Sequence, residues 1–139
     1  MATPESSQEQ VWAMLFELVL DVRTRLPAVA AAVNLSPMQL QLLRLLEPRR
    51  PVPMGRLAEH LGCNASNITG IVDRLEARGL IRREPSLEDR RVRAVAITVD
   101  GSRIRRLIVR RLGEPPERIR RLSAEDRREL CRILGGGEA

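Results

Sequence analysis

The periodicity of the chain changes after Gly79, and that change restricts the fold more than any other feature. Up to Leu75 the apolar residues recur at helical spacing, with Ile68, Ile71, Val72 and Leu75 on one face. LIRRE (80–84) then reads as a strand, and RVRAVAITV (91–99) alternates, setting Val92, Ala94 and Ala96 on one side of a second strand. Between them PSLEDR makes a tight charged bend, so the segment predicts a β-hairpin. Directly upstream, MGRLAEHLG predicts a short helix with Leu57, Ala58 and Leu61 inward and Gly62 as its stop. Asn64 caps the next helix, ASNITGIVDRLEAR, which Gly79 ends. Two helices of this size joined by so short a turn form a helix-turn-helix, and the hairpin behind it completes a winged helix.

The rest of the chain reads as helix. The first helix starts near Ser6 or Ser7, with Val11, Leu15, Leu18, Val19, Val22 and Leu26 at helical spacing. Pro27 is expected to kink or break it, because proline has no N–H for the helical ladder. At LSPMQ, Ser36 is a cap, Pro37 fits the first helical position and Gln39 completes a capping box. Leu40, Leu43 and Leu46 line the inner face of that second helix, and Pro48 ends it. From Thr98 the chain returns to helix, with Ile104, Leu107, Ile108 and Leu112 on one face and Arg103, Arg106 and Arg110 on another. GEPPE (113–117) interrupts it. Ser123 and Asp126 form a capping box that opens a last helix, with Leu130, Ile133 and Leu134 inward. The fold class is mainly α with a small β-hairpin wing. The 139 residues suit one domain, or one domain with helical extensions.

Charge is distributed unevenly. The net charge is +6, every basic residue is arginine, and residues 1–48 carry a net −2 while 49–99 and 100–139 carry +4 each. Excess arginine on part of a chain suits a polyanion-binding face, and the guanidinium fork matches phosphates and base edges. A genome rich in G and C also favours arginine. Cys63 and Cys131 make no disulfide framework, and with His60 they cannot complete a four-ligand structural zinc site. No cofactor or metal is implied. No apolar run approaches a membrane span, and the N-terminus lacks the shape of a signal peptide, so a cytoplasmic protein without a membrane partner is expected.

The outward face of the fourth helix carries Ser66, Asn67, Thr69, Gly70, Asp73 and Arg74. Small polar residues near a helix N-terminus let it approach base edges in a major groove. An ordinary surface helix is also polar on its outside. Arg90 and Arg91 at the hairpin tip suit a narrow minor groove, with Asp89 or Glu88 aiming a guanidinium through a bidentate pair. A solvated charged turn would look the same.

In NITGIVDRLEARGLIRREPSLEDRRVRAVAITVDG, the order RLEARGLI, a short spacer, DRR, then IT and a glycine resembles the multiple antibiotic resistance regulator (MarR) family. The likeness extends to LSPMQLQLLRLL and MGRLAEHLG, covering residues 35 to 104. It implies a winged helix-turn-helix DNA-binding core at 35–99, with N-terminal (1–34) and C-terminal (100–139) dimerisation helices. It further implies a homodimer on a palindromic operator in double-stranded DNA, a repressor released by a small ligand. By position, Ser66, Asn67, Thr69, Gly70 and Arg74 would face the major groove. Asp89 and Arg91 would be the wing pair, with Arg91 in the minor groove and Arg90 near the backbone. The chain departs from the family at GEPPE, which shortens the fifth helix, and at Pro27. It also lacks the N-terminal-helix cysteine and nearby tyrosines of the oxidant-sensing branch.

Trp12 and Phe16 lie four apart, hence on one helix face. They read as dimer core or as one wall of a ligand cleft. Cys63 reads as a packing residue in the turn, with a redox role as the alternative because a helix N-terminus lowers a thiol pKa. Cys131 reads as core or interface, and His60 as a surface residue. One rival reading is a winged helix that binds protein without specific DNA binding. An enzyme is disfavoured, since the chain has one histidine, no nucleophile elbow, no phosphate loop and no metal cluster.

Overall fold

In a computed structural model, residues 7–136 are described. The elements run α1 (Gln8–Ala32), α2 (Pro37–Leu45), β1 (Val52–Pro53), α3 (Met54–Leu61), α4 (Ala65–Ala77), β2 (Ile81–Pro85), β3 (Arg93–Ile97), α5 (Val99–Leu112), α6 (Glu117–Arg120) and α7 (Ala124–Leu134). The fold is mainly helical with a small antiparallel sheet of order β1-β3-β2. The chain divides into two compact units, residues 24–112 and residues 1–23 with 113–139.

The larger unit holds the winged helix. Its core is built from Leu40, Leu42, Leu43 and Leu46 of α2 and its end, Leu57 of α3, Val72 and Leu75 of α4, and Ile108 of α5, all fully buried. Burying so many leucine-sized side chains at about 1.5–3 kcal/mol each is what holds these short helices together. The α2 entry matches its sequence. Ser36 N–H donates to Gln39 Oε1 (2.9 Å) and Gln39 N–H donates to Ser36 Oγ (3.2 Å), with Pro37 at the first helical position. Leu42 is as buried as Leu40 and Leu43, so α2 buries a wider arc than one stripe predicts.

Pro27 does not break α1, which runs unbroken through it. Proline removes one ladder bond, to the Arg23 carbonyl, but Val29 and Ala30 just beyond are buried in the core and hold the last turns in place. Ser7 caps the helix start through a reciprocal pair with Gln10, while Ser6 lies outside the described residues.

The wing has a strand that the periodicity does not predict. β1 pairs with β3, Val52 opposite Val95 and Pro53 opposite Ala94. It therefore makes β3 central rather than one arm of a two-stranded hairpin. β3 is accordingly buried on both faces at Ala94, Val95, Ala96 and Ile97, whereas Val92 lies outside the strand and is 40% exposed. The predicted alternation is thus replaced by a continuous buried run, as in a covered strand.

The junction that follows explains the glycine of the sequence signature. Gly79 ends α4 at φ +71°, its N–H donating to the Glu76 carbonyl and Leu80 N–H to the Leu75 carbonyl, a Schellman ending. Thr98 Oγ1 donates to the Gly79 carbonyl (2.7 Å) and accepts from Gly101 N–H (3.1 Å). A Cβ on Gly101 would lie 1.9 Å from the Leu80 carbonyl oxygen. The ends of α4 and β3 and the start of α5 therefore meet at contact that only glycine permits.

In the smaller unit, the segment 113–116 separates α5 from α6 as GEPPE predicts. Ser123 caps α7 by accepting from Asp126 N–H (3.0 Å), but its hydroxyl also donates to the Asp126 carboxylate (2.7 Å). The predicted box is replaced by this variant, since the carboxylate takes the hydroxyl proton rather than the cap N–H. Ile133 and Leu134, expected inward, are 58% and 59% exposed. So are Val11, Trp12, Met14 and Phe16 of α1, at 48–66%. Cys131 is exposed, not core. Among the described residues no single helix is long and apolar enough to cross a membrane; α1 and α2 pass such a test only as a pair bent by 95°.

Candidate nucleic-acid interface

Asn64 opens α4, its side chain accepting from Asn67 N–H at 2.9 Å. This leaves the first outward turns of α4 free to present side chains. Ser66, Asn67, Thr69 and Arg74 are exposed and Gly70 is half-buried. Thr69 Oγ1 donates to the Ala65 carbonyl (2.8 Å), which directs its proton inward and leaves oxygen lone pairs and a methyl group for an outside partner. Nothing lies within 4 Å of a Cβ built at Gly70. No protein neighbour therefore requires glycine there, and its effect is to open the helix face to close approach. Ser66, Asn67, Gly70 and Arg74 border a depression of about 370 Å³ with Ser36, Met38, Cys63 and Ile71. Cys63 is half-buried at its edge.

Asp73 plays a different part from its neighbours. It pairs with Arg83 of β2 (Oδ1 to Nη2, 2.5 Å), and Glu76 accepts from Arg83 Nη1 (2.7 Å) and from Arg83 N–H (2.8 Å). Backbone and guanidinium donors from Arg83 hold the Glu76 carboxyl below its ordinary range. The Asp73 carboxylate, then Glu76, hold the Arg83 guanidinium above its own. The brace fixes α4 to the first wing strand. Sequence reading grouped Asp73 with the outward residues and passed over Arg83 and Glu76. The ten-residue separation from Asp73 to Arg83 spans a helix end and a turn, where periodicity carries no pairing information.

At the wing tip, Asp89 Oδ1 accepts from Arg91 N–H (3.0 Å). The Asp89 carbonyl accepts from Val92 N–H (3.0 Å), and Ser86 N–H donates to the Val92 carbonyl (2.8 Å). Asp89 therefore builds the turn through backbone bonds, in place of the expected carboxylate–guanidinium pair. Among the described residues no carboxylate lies within 4.0 Å of the Arg90 or Arg91 guanidinium. Both side chains are exposed cations on a stiffened turn.

Trp12 and Phe16 stack at 6.3 Å between centroids, tilted by 36°. A depression of about 250 Å³ further along the same unit is lined by Glu17, Leu18, Asp21, Pro116, Glu117 and Arg118, not by either ring. His60 sits on the surface with Nδ1 2.9 Å from the Arg56 carbonyl oxygen. Among the described residues no three His, Cys, Asp or Glu side chains cluster as a metal site needs.

The MarR family model matches residues 35–92, from the α2 cap through the wing. That match is confined to the winged-helix segment of the chain. The MarR family is one of transcriptional regulators. An uncharacterised HTH-type transcriptional regulator of Bacillus subtilis, YfiV, is 29% identical over 99 residues, 71% of this chain. The chain spans only 62% of YfiV's length. The transcriptional regulator Tm0710 of Thermotoga maritima is 27% identical and superposes with a TM-score of 0.74, covering 92% of this chain and 91% of that one. A mutant of S. aureus MepR bound to an oligodeoxyribonucleotide shares the fold, with a TM-score of 0.65 at 17% identity, covering 89% of this chain and 93% of that one.

Proposed function

We propose that this chain is a MarR family regulator, cytoplasmic, homodimeric and sequence-specific in its DNA binding, that represses transcription and is released by a small effector. The observation that carries it is the pairing of two DNA-sized elements on one rigid frame. The open polar turn of α4 is braced through Asp73, Glu76 and Arg83 to the strand that leads to Arg90 and Arg91, which no carboxylate pairs among the described residues. In this reading Ser66, Asn67, Thr69, Gly70 and Arg74 meet base edges and phosphates in the major groove. Arg91 enters the minor groove, Arg90 lies along the backbone, and Asp89 sets the turn that aims them. Residues 35–99 read DNA, and residues 1–34 and 100–139 dimerise. Trp12 and Phe16 belong to the dimer surface or to the wall of an effector cleft. The protein does no chemistry. The MepR mutant bound to an oligodeoxyribonucleotide supports the reading by fold alone.

The test is binding of the purified protein to the DNA upstream of its own gene, against scrambled DNA of equal length. The titration runs over about 50 to 200 mM salt, where several phosphate contacts cost orders of magnitude in affinity. One dimer per site with preference for the upstream DNA is the expected result. Arg91→Ala is expected to weaken that binding while the fold and dimer persist. Equal, weak binding to both duplexes, repeated with fragments selected from the whole genome, would favour a winged helix that binds protein.

A further inference from the structure

A second cluster of arginines stands beside the wing, outside every residue so far given a role. Arg49, Arg50 and Arg56 line a depression of about 290 Å³ with Ser86, Leu87 and Glu88 of the wing. Arg50 is held by Glu47 at 3.2 Å. Arg49 and Arg56 are exposed, and among the described residues no carboxylate lies within 4.0 Å of either, Glu88 included.

Both free arginines occupy positions that local physics disfavours. Glu47 to Arg50 is a turn closed by Arg50 N–H donating to the Glu47 carbonyl (3.2 Å). Pro48 is its second residue and Arg49 its third, at φ +63°. A type II turn reserves that third position for glycine or asparagine, and a left-handed arginine there stores backbone strain. Arg56 sits in the first turn of α3, whose cap, Pro53, supplies no side-chain bond, and no acid accompanies it there. A cation at that end opposes the helix dipole. Neither residue contributes an ion pair that would offset its position. What they share is one depression against the wing loop.

We propose that Arg49 and Arg56 form a phosphate clamp on the DNA backbone flanking the wing's groove contact. The inference rests on the DNA-binding reading above and extends its footprint. The clamp carries no sequence information, because phosphates are the same under every base. It contributes affinity and salt dependence, and it holds the duplex against the side of the wing.

The experiment compares the full chain with the double variant Arg49→Gly/Arg56→Gln, on a duplex selected by the wild type and on scrambled DNA. Each phosphate contact contributes about 0.9 to the slope of log affinity against log salt. The variant's slope is therefore expected to fall by about 2 for each protomer bound, with the same fractional loss on both duplexes. Its Tm is expected to hold or rise, since glycine relieves the left-handed turn. An unchanged slope, with the wild type still preferring its selected duplex, overturns the clamp and leaves the regulator standing. A reduced slope in a protein that prefers no sequence keeps the clamp and removes the sequence-specific regulator. A loss confined to the selected duplex also overturns the clamp, because it would assign these arginines to base reading.

Discussion

At the scale of single residues, two positions outside the proposed DNA-contacting set hold the frame of the candidate site. Gly101 has no room for a methyl group, with the Leu80 carbonyl oxygen at 1.9 Å and Ile97 Cγ1 at 2.8 Å from its Cβ position. Gly101→Ala must push the Leu80 backbone away from α5, and a loss of about 1–3 kcal/mol or more in chemical denaturation is expected. A stability within a few tenths of wild type would show that the junction is softer than its contacts imply. Arg83 gathers two carboxylates while only 19% exposed. Arg83→Met is expected to cost on the order of 1 kcal/mol at neutral pH. The sign of its pH dependence follows from Glu76, whose folded pKa lies below 4.5. Such a group stabilises the fold fully above its unfolded value, and the contribution disappears as pH falls through the lower folded value. Wild type and Arg83→Met should therefore differ at pH 7 and draw together as the pH falls from 4.5 through the lowered folded value of Glu76. Urea curves that stay equally far apart at both pH values would assign the brace to packing instead.

At the scale of elements, α4 depends on its entrance. Asn64 caps it through Asn67 N–H, and Asn64→Ala is expected to lose about 1 kcal/mol. The same change should weaken DNA binding more than that loss of stability explains, because Ser66 and Asn67 stand in the frayed turn. Affinity equal to wild type at low temperature would show that DNA re-forms the turn at no cost. The caps were the most legible part of the sequence. Ser36 with Gln39, Asn64, Gly62 and Gly79 each act within a few residues, and each behaves as its type dictates. What escaped reading was set by distant partners. β1 is two residues between Pro51 and Met54, one of them Pro53, too short and too proline-rich to read as a strand, and it forms because β3 offers an edge. Pro27 reads as a kink or break because its cost is local, while the burial of Val29 and Ala30 that carries the helix through it is not. Asp89 was legible as a wing residue, but not its bond to a backbone amide instead of a guanidinium, since either partner lies within its reach.

At the scale of the whole molecule, the proposed homodimer accounts for apolar surface that the protomer leaves open. Val11, Trp12, Met14, Phe16, Val19 and Leu20 of α1, and Ile133 and Leu134 of α7, are all more than 40% exposed. Periodicity marked Ile133 and Leu134 as facing inward, and within the protomer they do not. Apolar side chains left open in this number are costly in water at about 25 cal/mol for each Å² uncovered, and patches of that kind mark interaction surfaces. Trp12 is the only tryptophan in the chain, so its emission reports this surface directly. At micromolar concentration the emission should be blue-shifted relative to a solvated indole, and it should move to the red on dilution as sedimentation shows dimer giving way to monomer. Phe16→Asp should give the red-shifted spectrum and the monomer mass at all concentrations, while far-UV circular dichroism keeps the helical signal of the winged helix. A monomer that still gave the wild-type salt slope and affinity on a palindromic duplex would remove the dimer from the mechanism. A monomer with roughly half the slope would retain it, because each reading head then neutralises its own share of phosphates and loses the second half-site.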